Sequence, residues 1–413
     1  MPRGRQRCCA PCSAAGTRAV ITRIAQVSLH PVPYHAALYR ALERDPRIES
    51  EVLFLSRLGT RPRFEAEWNA RLEGDTKELL EGYRHRFLAN WSWNEFAPPI
   101  SRINPGLIPA LLGRRRDAVL IMGYDSLSAL LALALAKLRG SKALLRAEAD
   151  LTQQSAGWRS RLKARLLPWI LRRYDAVLYG CRANRAYFRH FGVAEEKLFF
   201  LPSTVDNARL LREAEDRAET RAAQRAALGI PSEATVVAFF GRLIPRKRPG
   251  DLLAAFKRIA GDFPEAWLLL VGEGQDRAAL ETAAAGETRI IFAGFRQPVE
   301  VPAVLMASDL LALPSDYDPT PKILHEAMIL GLPCLVSSGV GTAGDLVVDG
   351  ENGAVFPSGD GAALAAGLRS LLENPERRRA FGAAARSTAE AWSPEAGVEG
   401  IVAALDFCRG RRG

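Results

Sequence analysis

Short apolar strands alternating with amphipathic helices, a pattern that runs through the chain twice, constrain this sequence more than any other feature. After the first twenty residues the order reads ITRIAQVSL (strand), YHAALYRALER (helix), EVLFLS (strand), an irregular stretch from Arg63 to Ile100 containing LLEGYRHRFLANWSW, then LIPALLGRRR (helix), DAVLIMG (strand), SLSALLALALAKLR (helix), SKALLRAEA (strand), RLKARLLPWILRRY (helix), DAVLYG (strand), RANRAYFRHFG (helix) and KLFFLPS (strand). A polar stretch rich in Arg, Glu and Ala, Val205 to Glu233, interrupts the series. It restarts with ATVVAFFG, AWLLLVG, TRIIFAG, DLLALPS and LPCLVSS as strands, helices between them, and three helices at the end. These strands are continuous apolar runs, as a parallel sheet covered on both faces requires. The expected fold class is therefore α/β: two Rossmann-like, doubly wound parallel-sheet domains facing a central cleft, with a C-terminal helical tail. The expected division is a flexible leader (1–22), a first domain (23–205), a second domain (206–392) and a final helix (393–413) packing back on the first domain. Ligands of such sheets sit at the carboxyl ends of strands, at the topological switch point.

Among 413 residues, no apolar run approaches the roughly 18 that a membrane-spanning helix needs. The longest, Ala129 to Leu138, is flanked by polar residues and reads as a buried helix. The Arg-rich opening lacks the apolar core of a secretory signal, so the six cysteines are expected as reduced thiols. Cys9-x-x-Cys12 is half of a zinc pattern without its other half. The net charge of +10 is unevenly spread: residues 1–205 carry about +15 and residues 206–413 about −5. An anionic surface or substrate is the natural partner of the first half. Its densest stretch, Trp158 to Arg173, reads either as a helix lying on anionic lipid or as a solvated basic face over a buried stripe, and Pro168 is expected to kink it. No nucleic-acid motif accompanies the charge, which argues against a nucleic-acid partner.

Two constellations in the second half carry chemistry. Gly241-Arg242-Leu243-Ile244-Pro245-Arg246-Lys247 follows directly on VVAFF, so a glycine and two cations stand at a strand's carboxyl end. Arg offers phosphate a planar fork and Lys a compact point charge. Strand DLLALPS is followed by Asp316-Tyr317-Asp318-Pro319-Thr320-Pro321-Lys322 and a helix to Leu330. Thr320 reads as the N-cap and Pro321 as the first helical residue. The helix start, with its free N–H groups, then faces the cleft as an anion site. Taken singly, Asp318 reads equally as an acid satisfying the helix dipole, and Glu326 equally as a surface helix residue.

Together the blocks GRLIPRK, LLLVGEG, IIFAGF, ASDLLALPS, DPTPKILHEAMILGLPCLVSS and GDLVVDGENGAVFPSGD resemble the nucleotide-sugar half of a GT-B retaining glycosyltransferase of family 4, over roughly 235–375. The first half is similar to a subset of bacterial members through HPVPYHAALYRAL, LLEGYRHRFL and GYDSLSALLA. The resemblance implies that Arg242 and Lys247 hold the diphosphate of a sugar nucleotide. It implies that Glu326, second acid of the family's Glu-x7-Glu pattern, accepts hydrogen bonds from the ribose, and that Asp318, in the first acid's place, binds sugar hydroxyls. Gly241, Gly272 and Gly274 would line the nucleotide cleft and Phe295 and Arg296 would lie beside the base. Thr320, Lys322 and Ile323 would complete the phosphate site from the helix start, Lys322 and Ile323 compensating for the N–H that Pro321 lacks.

The sequence departs from the family pattern at Asp318, where Glu is usual, and at Thr320-Pro321, where Phe-Gly is usual. The mid-domain His is replaced by Arg146-Ala147-Glu148, and His30 to His35 stands where a Gly pair is usual. His35 and Glu148 are the acceptor-side candidates. Asp316-x-Asp318 formally matches a manganese-binding pattern of another glycosyltransferase fold, but its flanks match the metal-free one, so no metal or other cofactor is expected. The expected activity is transfer of a sugar from a nucleotide-diphosphate sugar to a hydroxyl of a glycan or lipid-phosphate-linked acceptor, in cell-surface polysaccharide or glycolipid assembly. The expected location is cytoplasmic, at the inner face of the plasma membrane. Alternatives are a nucleotide-sugar epimerase of the same fold, or an inactive membrane-surface subunit that binds the sugar nucleotide.

Overall fold

A computed structural model describes residues 21–60, 62–65, 70–72, 79–91, 103–151 and 158–410. The Cys8/Cys9/Cys12 leader and parts of the 63–100 stretch lie outside the described residues. The first half supplies β1 (Thr22–Ser28), β2 (Ile48–Phe54), a small antiparallel pair β3 (Arg63–Glu65) and β4 (Ala70–Leu72), β5 (His85–Phe87), β6 (Ala118–Met122), β7 (Lys142–Arg146), β8 (Ala176–Tyr179) and β9 (Leu198–Phe200). Seven of these form one parallel sheet in the order β5-β2-β1-β6-β7-β8-β9. The second half supplies β10 (Thr235–Phe240), β11 (Ala266–Val271), β12 (Ile290–Gly294), β13 (Leu310–Leu313), β14 (Cys334–Ser337) and β15 (Gly353–Phe356), a parallel sheet in the order β12-β11-β10-β13-β14-β15. In each sheet the chain winds outward from its first strand and then returns to that strand's other side. The switch points fall between β1 and β6 and between β10 and β13, the places where sheets of this kind bind ligands.

The strand composition explains the burial. Val236, Val237, Ala238 and Phe239 of β10 are fully buried on both faces, under helices such as Pro249–Ile259, whose Leu252, Leu253 and Phe256 point inward. The Arg/Glu/Ala-rich stretch forms two helices, Asn207–Glu213 and Arg217–Leu228. The second is tied down by Arg221 and Arg225, which both pair with Asp309 at the start of β13. The last helix, Pro394–Gly410, places Val398, Ile401, Ala404 and Leu405 in a core shared with Ile24, Leu38, Leu144 and Leu178 of the first sheet's domain. The helix 394–410 therefore packs on the first domain.

One local expectation needs correction. The strand read as SKALLRAEA stops at Arg146, so Ala147, Glu148 and Ala149 leave the sheet as loop. The helix Trp158–Leu171 runs on through Pro168. The carbonyl that a proline cannot serve lies four residues back, at exposed Ala164, where solvent can satisfy it. No described helix is long and apolar enough to cross a membrane.

Candidate active site

At the second switch point the loops after β10 and β13 are zipped together. The Asp316 N–H donates to the Arg246 carbonyl at 2.9 Å, and the Arg248 guanidinium reaches the Asp316 carboxylate at 2.7 Å. Arg246 also lies 5.5 Å from the Tyr317 ring centroid. Arg248 has φ +50°, the one described non-glycine residue with positive φ, and its side chain is held by Asp251 and Asp316. Backbone strain of this kind persists where surrounding contacts over-determine it. Lys247 forms an ion pair with Asp318, both side chains being largely buried. Burial pushes the Lys247 ammonium below its usual pKa, and Asp318 partly offsets that. The residue expected on the diphosphate and the one expected on the sugar are thus each other's partners here. Both acids of Asp316-x-Asp318 are engaged by cations, and among the described residues no cluster of His, Cys, Asp or Glu could hold a metal ion.

Glycine sets the neighbouring loop at backbone contact. Leu243 N–H donates to the Glu273 carbonyl at 2.8 Å and Gly241 N–H to the Val271 carbonyl at 3.0 Å. A Cβ on Gly272 would lie 2.0 Å from the Gly241 oxygen, and one on Gly274 2.3 Å from the Leu243 oxygen. Any side chain there would drive the two loops apart. Arg242 is half-buried on the first loop. Phe295 and Arg296 come directly after β12 and are also half-buried, and the Arg296 Nε is buried without a hydrogen-bond partner. Asp318 is fixed from its other side by a backbone bridge: its N–H donates to Gly339 at 3.0 Å and its carbonyl accepts from Gly341 at 2.8 Å. The Gly-x-Gly after β14 is a sequence signal of close approach that the two charged constellations leave out.

The helix after the β13 loop is Lys322–Ile329, with Pro321 at its N-cap and no side-chain cap. This corrects the reading of Thr320 as cap and Pro321 as first helical residue. The Thr320 hydroxyl donates instead to Glu148 across the cleft. The peptide N–H groups of Lys322 and Ile323 stand at the helix start, where the aligned dipoles favour an anion. Glu326 lies in the second turn. Burial pushes its carboxyl up to about 7, with Arg209 opposing the shift.

Across the cleft, Glu148 is the meeting point of both domains. Arg146 reaches it at 2.9 Å, and Ser203 and Thr320 donate hydroxyl hydrogen bonds to it. The Lys322 ammonium lies 3.7 Å from it, bonds Ser203 and sits 4.9 Å from the Tyr34 ring centroid. Burial alone would raise the Glu148 carboxyl; Lys322, Arg146 and the two hydroxyls overcome it and hold the group well below the usual carboxylate range. Lys322, expected at the phosphate site, thus directs its ammonium to the other domain, while its peptide N–H stays at the helix start. Tyr317 likewise bonds Asp150 across the cleft. Ser203 and Asp150 had no sequence signal; only the tertiary fold brings them here.

His35, in the first turn of the helix Pro33–Arg44, is pushed down to about 3 by burial, so it is neutral at ordinary pH. Its Nδ1 is buried without a partner. His35 and Glu148 both line a cavity of about 920 Å³ at the carboxyl ends of β1, β6 and β7. The structure so gathers Gly241, Arg242, Lys247, Gly272, Gly274 and Asp318 around one set of loops. Glu326 and Ile323 belong to the adjoining helix, and Thr320 and Lys322 are joined to the acceptor-side candidate Glu148.

Two Rossmann-like parallel sheets joined in this way, with cations and a helix start at the switch point of the second, define the GT-B class. The model of the Glycosyl transferases group 1 family matches residues 220–388, and that of the Glycosyl transferase 4-like domain matches residues 31–204. The chain belongs to the GT-B group 1 glycosyltransferases, a family of enzymes. It is similar to a glycogen synthase of Mycobacterium tuberculosis, 29% identical over 282 residues, covering 65% of this chain and 64% of that protein. It is also similar to a D-inositol 3-phosphate glycosyltransferase of Segniliparus rotundus, 30% identical over 223 residues, covering 52% of this chain and 48% of that protein. The matches span about half to two thirds of these relatives' lengths. In fold it is similar to Anabaena Alr3699/HepE, solved in complex with UDP and glucose, at a TM-score of 0.66 and 18% identity, covering 94% of this chain and 99% of that one. The catalytic domain of Arabidopsis thaliana starch synthase IV, bound to ADP and acarbose, gives 0.68 at 12% identity, covering 94% and 100%.

Proposed function

We propose that this chain transfers a glycosyl residue from a nucleotide-diphosphate sugar to a hydroxyl, with retention at the anomeric carbon, in the assembly of a cell-surface glycan or glycolipid. One observation carries the reading: Arg242, Lys247 and the start of the 322–329 helix stand together at the switch point of the second sheet. The named activities of the relatives, and the UDP and ADP in the neighbouring structures, support it.

In the step itself the bond from C1 of the sugar to the diphosphate oxygen breaks, and its electron pair stays on that oxygen. The acceptor hydroxyl attacks C1 from the same face, and its proton passes to the departing phosphate. Charge on the diphosphate rises as the bond breaks. Lys247, Arg242 and the helix N–H groups bind that charge more tightly in the transition state than in the ground state, which is what accelerates the chemistry. Engagement of the diphosphate by Lys247 loosens its hold on Asp318, whose carboxylate then turns to the sugar hydroxyls. Glu326 in its ionised form accepts from the ribose. Phe295 and Arg296 flank the base. No metal takes part, so chelator leaves the rate unchanged. The protein works on the cytoplasmic face of the plasma membrane, and the exposed Leu162, Leu166 and Trp169 among cations on the helix 158–171 support that position.

Screening nucleotide sugars by thermal shift identifies the sugar donor, and a ligand at about 100 times its Kd stabilises by roughly 2.7 kcal/mol. NMR of the product made with that donor then reads the anomeric configuration, and an inverted product contradicts the proposal. An epimer formed from the sugar nucleotide alone would favour an epimerase, and binding without transfer or hydrolysis an inactive subunit.

A further inference from the structure

The cavity of the first domain has two unlike ends. Its inner end carries His35, neutral and with Nδ1 unpartnered, and Glu148, whose carboxylate is already saturated by Arg146, Ser203, Thr320 and Lys322. Its outer end lies between two helices. Leu127 and Leu130 come from the helix Leu127–Leu138, and Leu166 and Ile170 from the helix Trp158–Leu171. Leu127, Leu130 and Leu166 are 44%, 37% and 49% exposed. Lys163, Asp125 and Ser126 also line this part of the cavity, and apolar side chains left open beside a few polar groups mark a site for an amphiphile.

The apolar wall does not stop at the cavity. On a helix, residues 162, 166 and 169 share one face, and Leu162 and Trp169 are both exposed beside Leu166. Leu166 thus belongs both to the cavity and to an outward apolar stripe. Arg161 and Arg165 are exposed along the same helix and Arg172 just past its end, where Arg173 stacks 4.4 Å from the Trp169 ring centroid. Cations flanking an exposed apolar stripe suit the surface of an anionic bilayer.

Resting on the glycosyltransferase reading, we infer that the acceptor is an amphiphile whose alkyl or polyprenyl chain lies between Leu130 and Leu166 and whose hydroxyl-bearing head reaches His35. The stripe Leu162-Leu166-Trp169 receives the remainder of the chain and holds the cavity mouth at the membrane. A soluble glycan would leave these leucines in water and gain nothing from them.

Calorimetric titration with dodecyl phosphate below its micellar concentration tests this on the full chain. Dodecyl phosphate should bind at least tenfold more tightly than inorganic phosphate, and Leu130→Glu and Leu166→Glu should each weaken it at least tenfold. Both positions are partly exposed, and melting curves check that the variants fold; Leu130→Ala, expected to weaken binding about threefold, serves if Leu130→Glu does not. Dodecyl phosphate binding no better than inorganic phosphate, or equally well to all variants, overturns the inference. So does a result in which Trp169→Glu abolishes flotation with phosphatidylglycerol vesicles while Leu130→Glu leaves dodecyl phosphate binding intact, because the stripe would then be a membrane contact alone. Nucleoside diphosphate binding, titrated in parallel, tests the sugar-donor reading separately: its loss in the unaltered protein counts against that reading, whereas its retention beside absent alkyl binding counts against this one.

Discussion

The two sheets present their carboxyl ends in opposite ways. After β10, β11 and β13 the loops lie at backbone contact, and their charges are paired: Lys247 with Asp318, Arg248 with Asp316. After β1, β6 and β7 the loops stand apart around a cavity of about 920 Å³ with a largely apolar mouth. The same fold thus supports a tight charged cradle in one half and an open, greasy pocket in the other. A ligand common to a family, a nucleoside diphosphate, calls for fixed positions; an acceptor that differs between members calls for room. On the proposed reading, the difference gives the second half the reaction's electrostatics and the first half its selectivity.

If the cradle carries the electrostatics, the largest effect falls there. Arg242→Ala and Lys247→Ala should each lower kcat about 10²–10³-fold, the usual loss for one stabilising group on a developing charge, with melting curves showing the fold intact. Unchanged rates in both variants would break the comparison. Next in size is Glu326→Gln, which removes a charged acceptor and should cost about ten- to a hundredfold in kcat/KM for the sugar nucleotide. The sign of its pH dependence is set by burial. A carboxyl raised to about 7 is largely protonated below that pH and then accepts from the ribose more weakly than the carboxylate does. The KM for the sugar nucleotide of the unaltered protein should therefore rise as pH falls from 8 to 6, and Glu326→Gln should flatten that rise. A smaller effect is expected from Gly272→Ala, whose new Cβ would meet the Gly241 oxygen. It should cost about 2 kcal/mol of stability and weaken nucleoside diphosphate binding, read by denaturant melts and calorimetry. The smallest effect joins the two halves: a double-mutant cycle of Glu148→Gln and Lys322→Met should show coupling of about 1 kcal/mol in sugar-nucleotide binding, and strict additivity would mean the cross-cleft contact is idle.

Much of the cradle was legible in the chain. The runs VVAFF and DLLAL, short and set between helices, read as covered parallel strands, and the residues immediately after such a strand sit at its carboxyl end. That placed Arg242, Lys247, Asp318 and Glu326 in one neighbourhood. Their mutual pairing was not legible, because Lys247 and Asp318 are 71 positions apart and no local pattern records which cation meets which acid. Thr320 shows the limit most plainly. Local propensity makes it a helix cap, but Glu148, 172 positions earlier, competes for its hydroxyl and wins. The strand read through Glu148 failed for a related reason: SKALLRAEA holds no Gly or Pro to mark a stop, and only pairing with β6 and β8 decides where it ends. The first domain's cavity was the least readable part, since a void leaves no signature in the residues that surround it.

The most direct measurement is the position of the pyrophosphate in a crystal of the protein with a nucleoside diphosphate. It should lie against Arg242, Lys247 and the N–H groups of Lys322 and Ile323, with the ribose at Glu326. A pyrophosphate lodged in the first domain's cavity, or anywhere away from those four residues, would contradict the assignment of the cradle.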